Sequence, residues 1–328
     1  MAWSISRGSN MTNDDETSSG GRWERELVTR LATAALKEQR RARLWGIFFK
    51  LLTFAYITLI LVMAVDWQGR TDLAGGKKHT AMVEVSGIIG PGTDASAEKV
   101  TTALQAAFKD KSTQGVVVRI NSPGGSPVQA QAIYDEMKRL RSKYPEIPLY
   151  AVVEDLCASG GYFVAVGADR IYVGKASIVG SIGVLMNGFG FTGLMDKLGV
   201  ERRLITAGEN KGMLDPFSPL DEKDKEHVKT LMADIHQQFI GVVREGRGKR
   251  LKESPEIFSG LIWTGQRSVE LGLADGFGSL EYVAREVIKA EDIRDYTISE
   301  GIGEKLARRF GASISNAVVE SLLRASFR

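Results

Sequence analysis

The sequence predicts an α/β fold behind a single membrane-spanning helix, on three observations. From residue 80 onward, short apolar strands alternate with helical stretches. Two of the strand-to-helix junctions are rich in glycine. A long apolar run lies ahead of the whole pattern. Strands separated by helices pair in parallel, because a parallel neighbour needs a long crossover connection.

Each element follows in order. Residues 1–21 are rich in Ser, Asn, Asp and Gly and are expected to be disordered. Residues 22–43 carry Trp23, Leu27, Leu31, Ala34 and Ala35 at helical spacing, which predicts an amphipathic helix. Residues 1–43 thus form one N-terminal segment. Residues 44–65, LWGIFFKLLTFAYITLILVMAV, contain one charge, Lys50. As a helix this run spans about 33 Å, enough to cross a bilayer core. Lys50 sits near the start and can snorkel to the head groups. A buried core helix is the alternative, and the length and aromatic content speak against it. A cleaved signal peptide fits less well, because VMAV at 62–65 is a poor cleavage site. Arg25, Arg30, Lys37, Arg40, Arg41 and Arg43 precede the span, against Arg70, Lys77 and Lys78 after it. That imbalance places the N-terminus in the cytoplasm and everything after the span outside it. Residues 66–79 read as a polar linker.

The domain at 80–298 begins with a strand at 80–89 and a helix at 96–109. A valine-rich strand follows at 115–121, then a helix at 126–143 with Ala130, Ile133, Met137 and Leu140 on one face. A strand at 148–154 leads into a helix starting near Ser159. Strands at 170–174 and 200–206 and a long amphipathic helix at 221–246 continue the pattern. The tail, 299–328, reads as a basic amphipathic helix that packs on a neighbour or lies on the membrane.

Composition narrows the function. There are 43 basic and 40 acidic side chains, a net charge of +3. Nucleic-acid binding would want a concentrated basic face, which is missing. The one cysteine, Cys157, permits no intrachain disulfide and no thiol pair for zinc. The three histidines, His79, His227 and His236, are scattered along the chain, so no metal site is expected.

The chemistry concentrates in the two glycine-rich turns, Asn121-Ser122-Pro123-Gly124-Gly125-Ser126-Pro127 and Cys157-Ala158-Ser159-Gly160-Gly161-Tyr162. Turns of this kind present backbone N–H groups at a helix start. Tandem glycines let the backbone approach a reacting group. Placed side by side, one N–H from each turn could hold an oxyanion, with a turn serine as nucleophile. From the turns alone, Ser122, Ser126 and Ser159 read more readily as helix caps, a common job for serine. Cys157 is a rival nucleophile, although a lone cysteine at a strand end is usually a small buried apolar residue. A serine nucleophile needs a base. No histidine is close to either turn in sequence, but His227 and His236 stay open because such groups assemble in space. A lysine serves if burial favours its neutral form. Lys211, in the loop TAGENKGMLDPF at 206–217, has glycines and apolar residues around it; an ordinary solvated loop lysine is the other reading.

Residues 80–290 resemble the catalytic domain of signal peptide peptidase A, a serine peptidase family of the Clp/crotonase fold. The resemblance rests on NSPGG at 121–125, ASGGY at 158–162, GSIGV at 180–184 and the TAGENKGMLDPF loop. It implies a fold of repeated strand-strand-helix units. It implies Ser159 as nucleophile, Lys211 as general base, Ser181 as the group that orients the lysine, and the N–H groups of Gly125 and Gly160 as the oxyanion hole. It also implies a homo-oligomeric ring and a single-pass protein of the bacterial inner membrane with a periplasmic catalytic domain. The implied substrates are cleaved signal peptides and other apolar peptides, cut through an acyl-enzyme without metal or cofactor. A SohB-like envelope peptidase of the same family, a crotonase-like acyl-CoA enzyme and a non-catalytic membrane scaffold are the alternatives.

The topology is directly testable. Protease added outside spheroplasts is expected to digest the C-terminal domain and spare residues 1–43. A protected C-terminal domain with a cleaved N-terminus would reverse the orientation.

Overall fold

The structure, a computed structural model, describes residues 16–69 and 77–299. The chain divides into two units that part after Gly75.

The first unit is one helix, α1 (Glu16–Gly69). It starts within the segment expected to be disordered and runs past Val65 into the expected linker. Extra turns add cheaply to a helix already nucleated, which explains both extensions. The stretch Leu27–Leu59 holds a window long and apolar enough to cross a membrane, and that window is wholly exposed. Trp45, Phe49, Leu52, Phe54 and Ile57 all present their side chains outward. A helical window apolar all round suits lipid. The remainder of the linker up to residue 76, and the amphipathic tail from residue 300, lie outside the described residues.

The second unit is an eight-stranded sheet covered by helices. Its elements open with β1 (His79–Ile89), α2 (Ala97–Lys109), β2 (Thr113–Gly125), α3 (Pro127–Lys143), β3 (Leu149–Ala158) and α4 (Gly160–Ala165). They continue with β4 (Arg170–Val173), β5 (Ile178–Gly180), α5 (Thr192–Leu198), α6 (Glu222–Arg247), β6 (Ile262–Thr264), α7 (Gly265–Glu270), β7 (Gly276–Phe277), α8 (Leu280–Tyr282) and β8 (Ile293–Asp295). The order across the sheet is β6-β5-β3-β2-β1-β8, with β4 pairing β3 and β7 beside it. All pairs are parallel except β5 with β6.

The strands alternate their side chains between two apolar layers. Val83, Val85, Val116, Val118, Ala151 and Val153 face Leu104, Phe108, Ile133, Met137 and Tyr162. Met82, Val117, Val152 and Tyr172 pack on the other face against Leu280 and Val283. Cover on both faces is why Val116, Val117 and Val118 follow one another without a polar residue between them. The first half of β3 pairs with β4 and its last residues pair with β5. That change of partner opens the sheet where the site lies.

Residues 200–206, expected as a strand, form none. The place beside β5 is taken by β6, with Val179 opposite Trp263. Val200, Leu204 and Ile205 are left exposed.

One buried ion pair ties α6 to the sheet. Arg247, 1% exposed, donates from Nη1 and Nη2 to Asp275 at 2.8 and 2.9 Å. Asp275 also accepts the Ile171 N–H at 2.7 Å and Arg250 at 3.1 Å. Burial pushes the Asp275 carboxyl up, but the Arg247 hydrogen bonds and charge outweigh it and hold the group below its ordinary 3.8. Its folded value is below its unfolded one, so this contribution is full above about pH 4 and is lost as pH falls through that range. Asp275→Asn leaves Arg247 charged and buried, and is expected to cost about 3–5 kcal/mol by chemical denaturation at pH 7. The gap to wild type should narrow toward pH 3. An equal gap at both pH values would contradict this account.

Candidate active site

The site is built from the ends of β2, β3 and β5. β2 and β3 pair in parallel; their register shifts between Ile120 and Ser122, and the pairing resumes with Ser122 opposite Cys157, which sets their two turns side by side. The turns are in close contact. A Cβ on Gly124 would lie 2.6 Å from the Gly160 nitrogen and 2.8 Å from the Ser159 Cβ. A Cβ on Gly160 would lie 3.2 Å from the Gly125 nitrogen. Gly124 also has φ +97°, a conformation side chains rarely adopt. Both reasons fix glycine at this junction.

Ser159 joins β3 to α4 with φ 51° and ψ −122°. A non-glycine residue held there costs about 1–3 kcal/mol, and such strain clusters at functional sites. Its N–H donates to the Gly180 carbonyl at 2.8 Å and its carbonyl accepts from Phe163 N–H at 2.9 Å. Its hydroxyl makes no cap hydrogen bond to α4. The cap reading therefore fails for Ser159, whereas Ser126 does cap α3, accepting from Gln129 N–H at 3.4 Å. The cap reading fails for Ser122 as well: it is buried, donates to the Gly87 carbonyl at 2.6 Å and accepts the Gly124 N–H at 3.1 Å.

Ser181 leaves β5 at the level where Ser159 leaves β3, because Ala158 pairs with Gly180. It too has positive φ, 53°, and its N–H donates to the Leu261 carbonyl at 2.8 Å. The structure thus brings Ser159, Gly160, Gly125 and Ser181 to one edge of the sheet. Lys211 is elsewhere. It sits exposed in a turn of the 183–220 excursion, its N–H donating to the Gly208 carbonyl at 3.1 Å. Among the described residues its ammonium makes no hydrogen bond or ion pair. Among the described residues no hydrogen bond links it to Ser159 or Ser181 within one copy of the chain.

The other candidates separate clearly. Cys157 is fully buried and burial pushes its thiol far up, so it stays protonated and inert. His79 lies within β1, buried against Tyr296 at 3.0 Å. His236, left open as a base by the sequence, approaches the Ile182 carbonyl at 3.2 Å and so braces the residue after Ser181. Helical spacing on α6 could not reveal that contact, since its partner is fifty-four residues away. Among the described residues no three His, Cys, Asp or Glu side chains converge to hold a metal ion.

Comparison with known proteins fits this geometry. A family model described as peptidase family S49 matches residues 141–294, and one described as Clp protease matches residues 81–178. A protein of Methanocaldococcus jannaschii named as a protease is 30% identical over 271 residues, covering 78% of this chain and 86% of its own length. The chain belongs to peptidase family S49. A protein of Enterococcus faecium named for signal peptide peptidase SppA is 31% identical over 199 residues, 61% of this S49 chain and 57% of that protein. A Brucella melitensis protein named Na(+)/H(+) antiporter NhaA is 47% identical over 177 residues, 54% of this chain and 24% of its own length. The chain thus spans about a quarter of that relative. The sheet with its covering helices and the Clp protease match together establish the Clp/crotonase-like fold.

One substitution and one labelling measurement test the packing of these turns. Gly124→Ala is expected to cost at least about 2 kcal/mol, through overpacking and strain at positive φ. Cys157 should resist a thiol reagent in the native protein and react only on unfolding. Native reactivity of Cys157, or a Gly124→Ala protein as stable as wild type, would contradict the packing described.

Proposed function

We propose that this chain is a membrane-anchored serine endopeptidase that cuts cleaved signal peptides and other apolar peptides left in the bilayer. One observation carries the reading: a strained Ser159, free of any cap bond, backed by the glycine turn of β2. In this reading the Ser159 hydroxyl attacks the peptide carbonyl. Lys211 takes the hydroxyl proton, and the N–H groups of Gly125 and Gly160 hold the oxyanion. Lys211 then protonates the departing amine, leaving an acyl-enzyme that water hydrolyses. Ser181, level with Ser159, orients the lysine.

A lysine accepts a proton only when neutral, and exclusion of water favours that form. Lys211 is exposed in a single copy, so the reading requires a cover. The excursion that carries it also exposes Leu185, Phe189, Ile205 and Phe217. A groove of about 540 Å³ lined by Met186, Phe189, Leu214 and Met232 lies beside it. Self-association into a ring, together with an apolar substrate, would cover this surface and desolvate the lysine. The apolar α1 would hold the domain at the bilayer in which signal peptides remain, with the catalytic domain on the periplasmic side. The name carried by the Enterococcus relative supports this substrate class.

The lysine decides the mechanism. In detergent-solubilised protein, Ser159→Ala and Lys211→Ala are each expected to lower kcat by orders of magnitude with assembly intact. Lys211→Arg should be equally inactive, because a guanidinium stays charged. Substantial turnover by the arginine variant would make Lys211 a substrate-binding cation. The base would then be sought elsewhere, starting with His236.

A further inference from the structure

The serine of the first glycine turn has no part in the mechanism above, yet it is among the most completely enclosed polar groups in the domain. Ser122 is 0% exposed. Its hydroxyl uses its proton on the Gly87 carbonyl, at 2.6 Å, and a lone pair on the Gly124 N–H, at 3.1 Å. It therefore joins the end of β1 to the turn that ends β2. It does so where the ladder itself is broken. The β1–β2 register shifts between Ser86 and Ile88, and the β2–β3 register shifts between Ile120 and Ser122. A side-chain hydroxyl replaces the regular backbone pairing at that point.

Ser122 also touches the nucleophile turn. A Cβ on Gly161 would lie 2.9 Å from the Ser122 carbonyl oxygen and 3.3 Å from its Cβ. The backbone of Ser122 thus fills the space beneath the first turn of α4, while its hydroxyl fixes the turn above. The amides flanking Gly125 are both committed: Gly124 N–H to Ser122, and Ser126 N–H to the Ile89 carbonyl at 2.8 Å. The Gly125 nitrogen, between them, is the one that faces Gly160.

We propose that the Ser122 hydroxyl is a positioning residue for the oxyanion hole: by holding Gly124 N–H against Gly87, it sets the direction in which Gly125 N–H points. The proposal rests on the reading of Ser159 as nucleophile and of Gly125 and Gly160 as oxyanion donors. Its chemistry is specific. A hydrogen bond aimed at the developing oxyanion acts in the transition state and little in the ground state. Loss of Ser122 should therefore fall on kcat rather than KM. A hydroxyl does not titrate in the working range, so the pH profile should keep its shape.

The test compares Ser122→Ala, Ser122→Cys and Ser122→Thr with wild type in the full-length, detergent-solubilised protein. The readouts are kcat and KM on an apolar peptide, inhibition by a peptide aldehyde that forms a tetrahedral adduct, and the melting temperature. Ser122→Ala is expected to lose about ten- to a hundredfold in kcat, on the scale of a misplaced or missing oxyanion donor. Inhibition by the aldehyde should weaken in proportion, with KM within about threefold and the pH profile unmoved. Ser122→Cys keeps the volume and weakens both bonds, so it should share the loss; Ser122→Thr keeps the hydroxyl and should recover most of the rate. If Ser122→Ala does not fold, the cysteine and threonine pair decides by the same criterion. A folded alanine or cysteine variant with wild-type kcat and aldehyde inhibition overturns the proposal. So does a loss confined to KM or to melting temperature. Failure of the underlying reading looks different: Ser159→Ala would retain turnover, or a fluorophosphonate would leave Ser159 of the wild type unlabelled, whatever stands at 122.

Discussion

The backbone contact between Gly124 and the Ser159–Gly160 peptide governs the geometry of this domain. Two strand-to-helix turns can approach so closely only when no Cβ stands between them, and a Cβ on Gly124 would fall 2.6 Å from the Gly160 nitrogen. The approach depends in turn on the parallel pairing of β2 with β3, which a register shift after Ile120 carries on to Ser122 opposite Cys157. That register is held from below by apolar layers on both faces of the valine-rich strands. The burial of Val116, Val117 and Val118 and the placement of Ser159 are thus two ends of one chain of causes. A slip of one residue would turn the core side chains to the wrong face and separate the turns together.

The same contact explains where strain is stored. Ser159 and Ser181 both adopt positive φ without being glycine, and both leave neighbouring strands at one level. Each is pinned through its N–H to a carbonyl of the next strand along, Ser159 to Gly180 and Ser181 to Leu261. A strained turn persists when its surroundings over-determine it, and this ladder of bonds from β3 through β5 to the residue ahead of β6 supplies that determination. His236 on α6, against the Ile182 carbonyl, extends the bracing to a helix.

Much of this was legible in the chain. The strand-helix alternation, the two glycine turns and the apolar run follow from local spacing, and local spacing is what a sequence displays. The resemblance carried by NSPGG, ASGGY and GSIGV pointed to Ser159, Ser181, Gly125 and Gly160, which the structure brings to one sheet edge. What stayed hidden depends on distant partners. Ser122 reads as a helix cap until Gly87 of another strand is seen to accept its proton. Residues 200–206 have strand-like composition, but β6 already occupies the free edge of β5. His236 looks like any helical histidine until Ile182 is placed beside it.

Lys211 marks the limit of a single copy. Its loop and the apolar side chains around it stand exposed, whereas the serine turns are finished and packed. The serine and glycine turns are therefore complete in one copy, and in the proposed reading the lysine joins them under cover. The claim on which everything else depends is that Ser159 carries the acyl group. Rapid acid quench of the full-length protein turning over an apolar peptide ester, followed by mass mapping of the adduct, tests it most directly. The account expects an acyl mass on the peptide containing Ser159 and its loss after hydroxylamine treatment. An acyl mass on any other residue, or turnover with no covalent adduct at the earliest quench times, would contradict it.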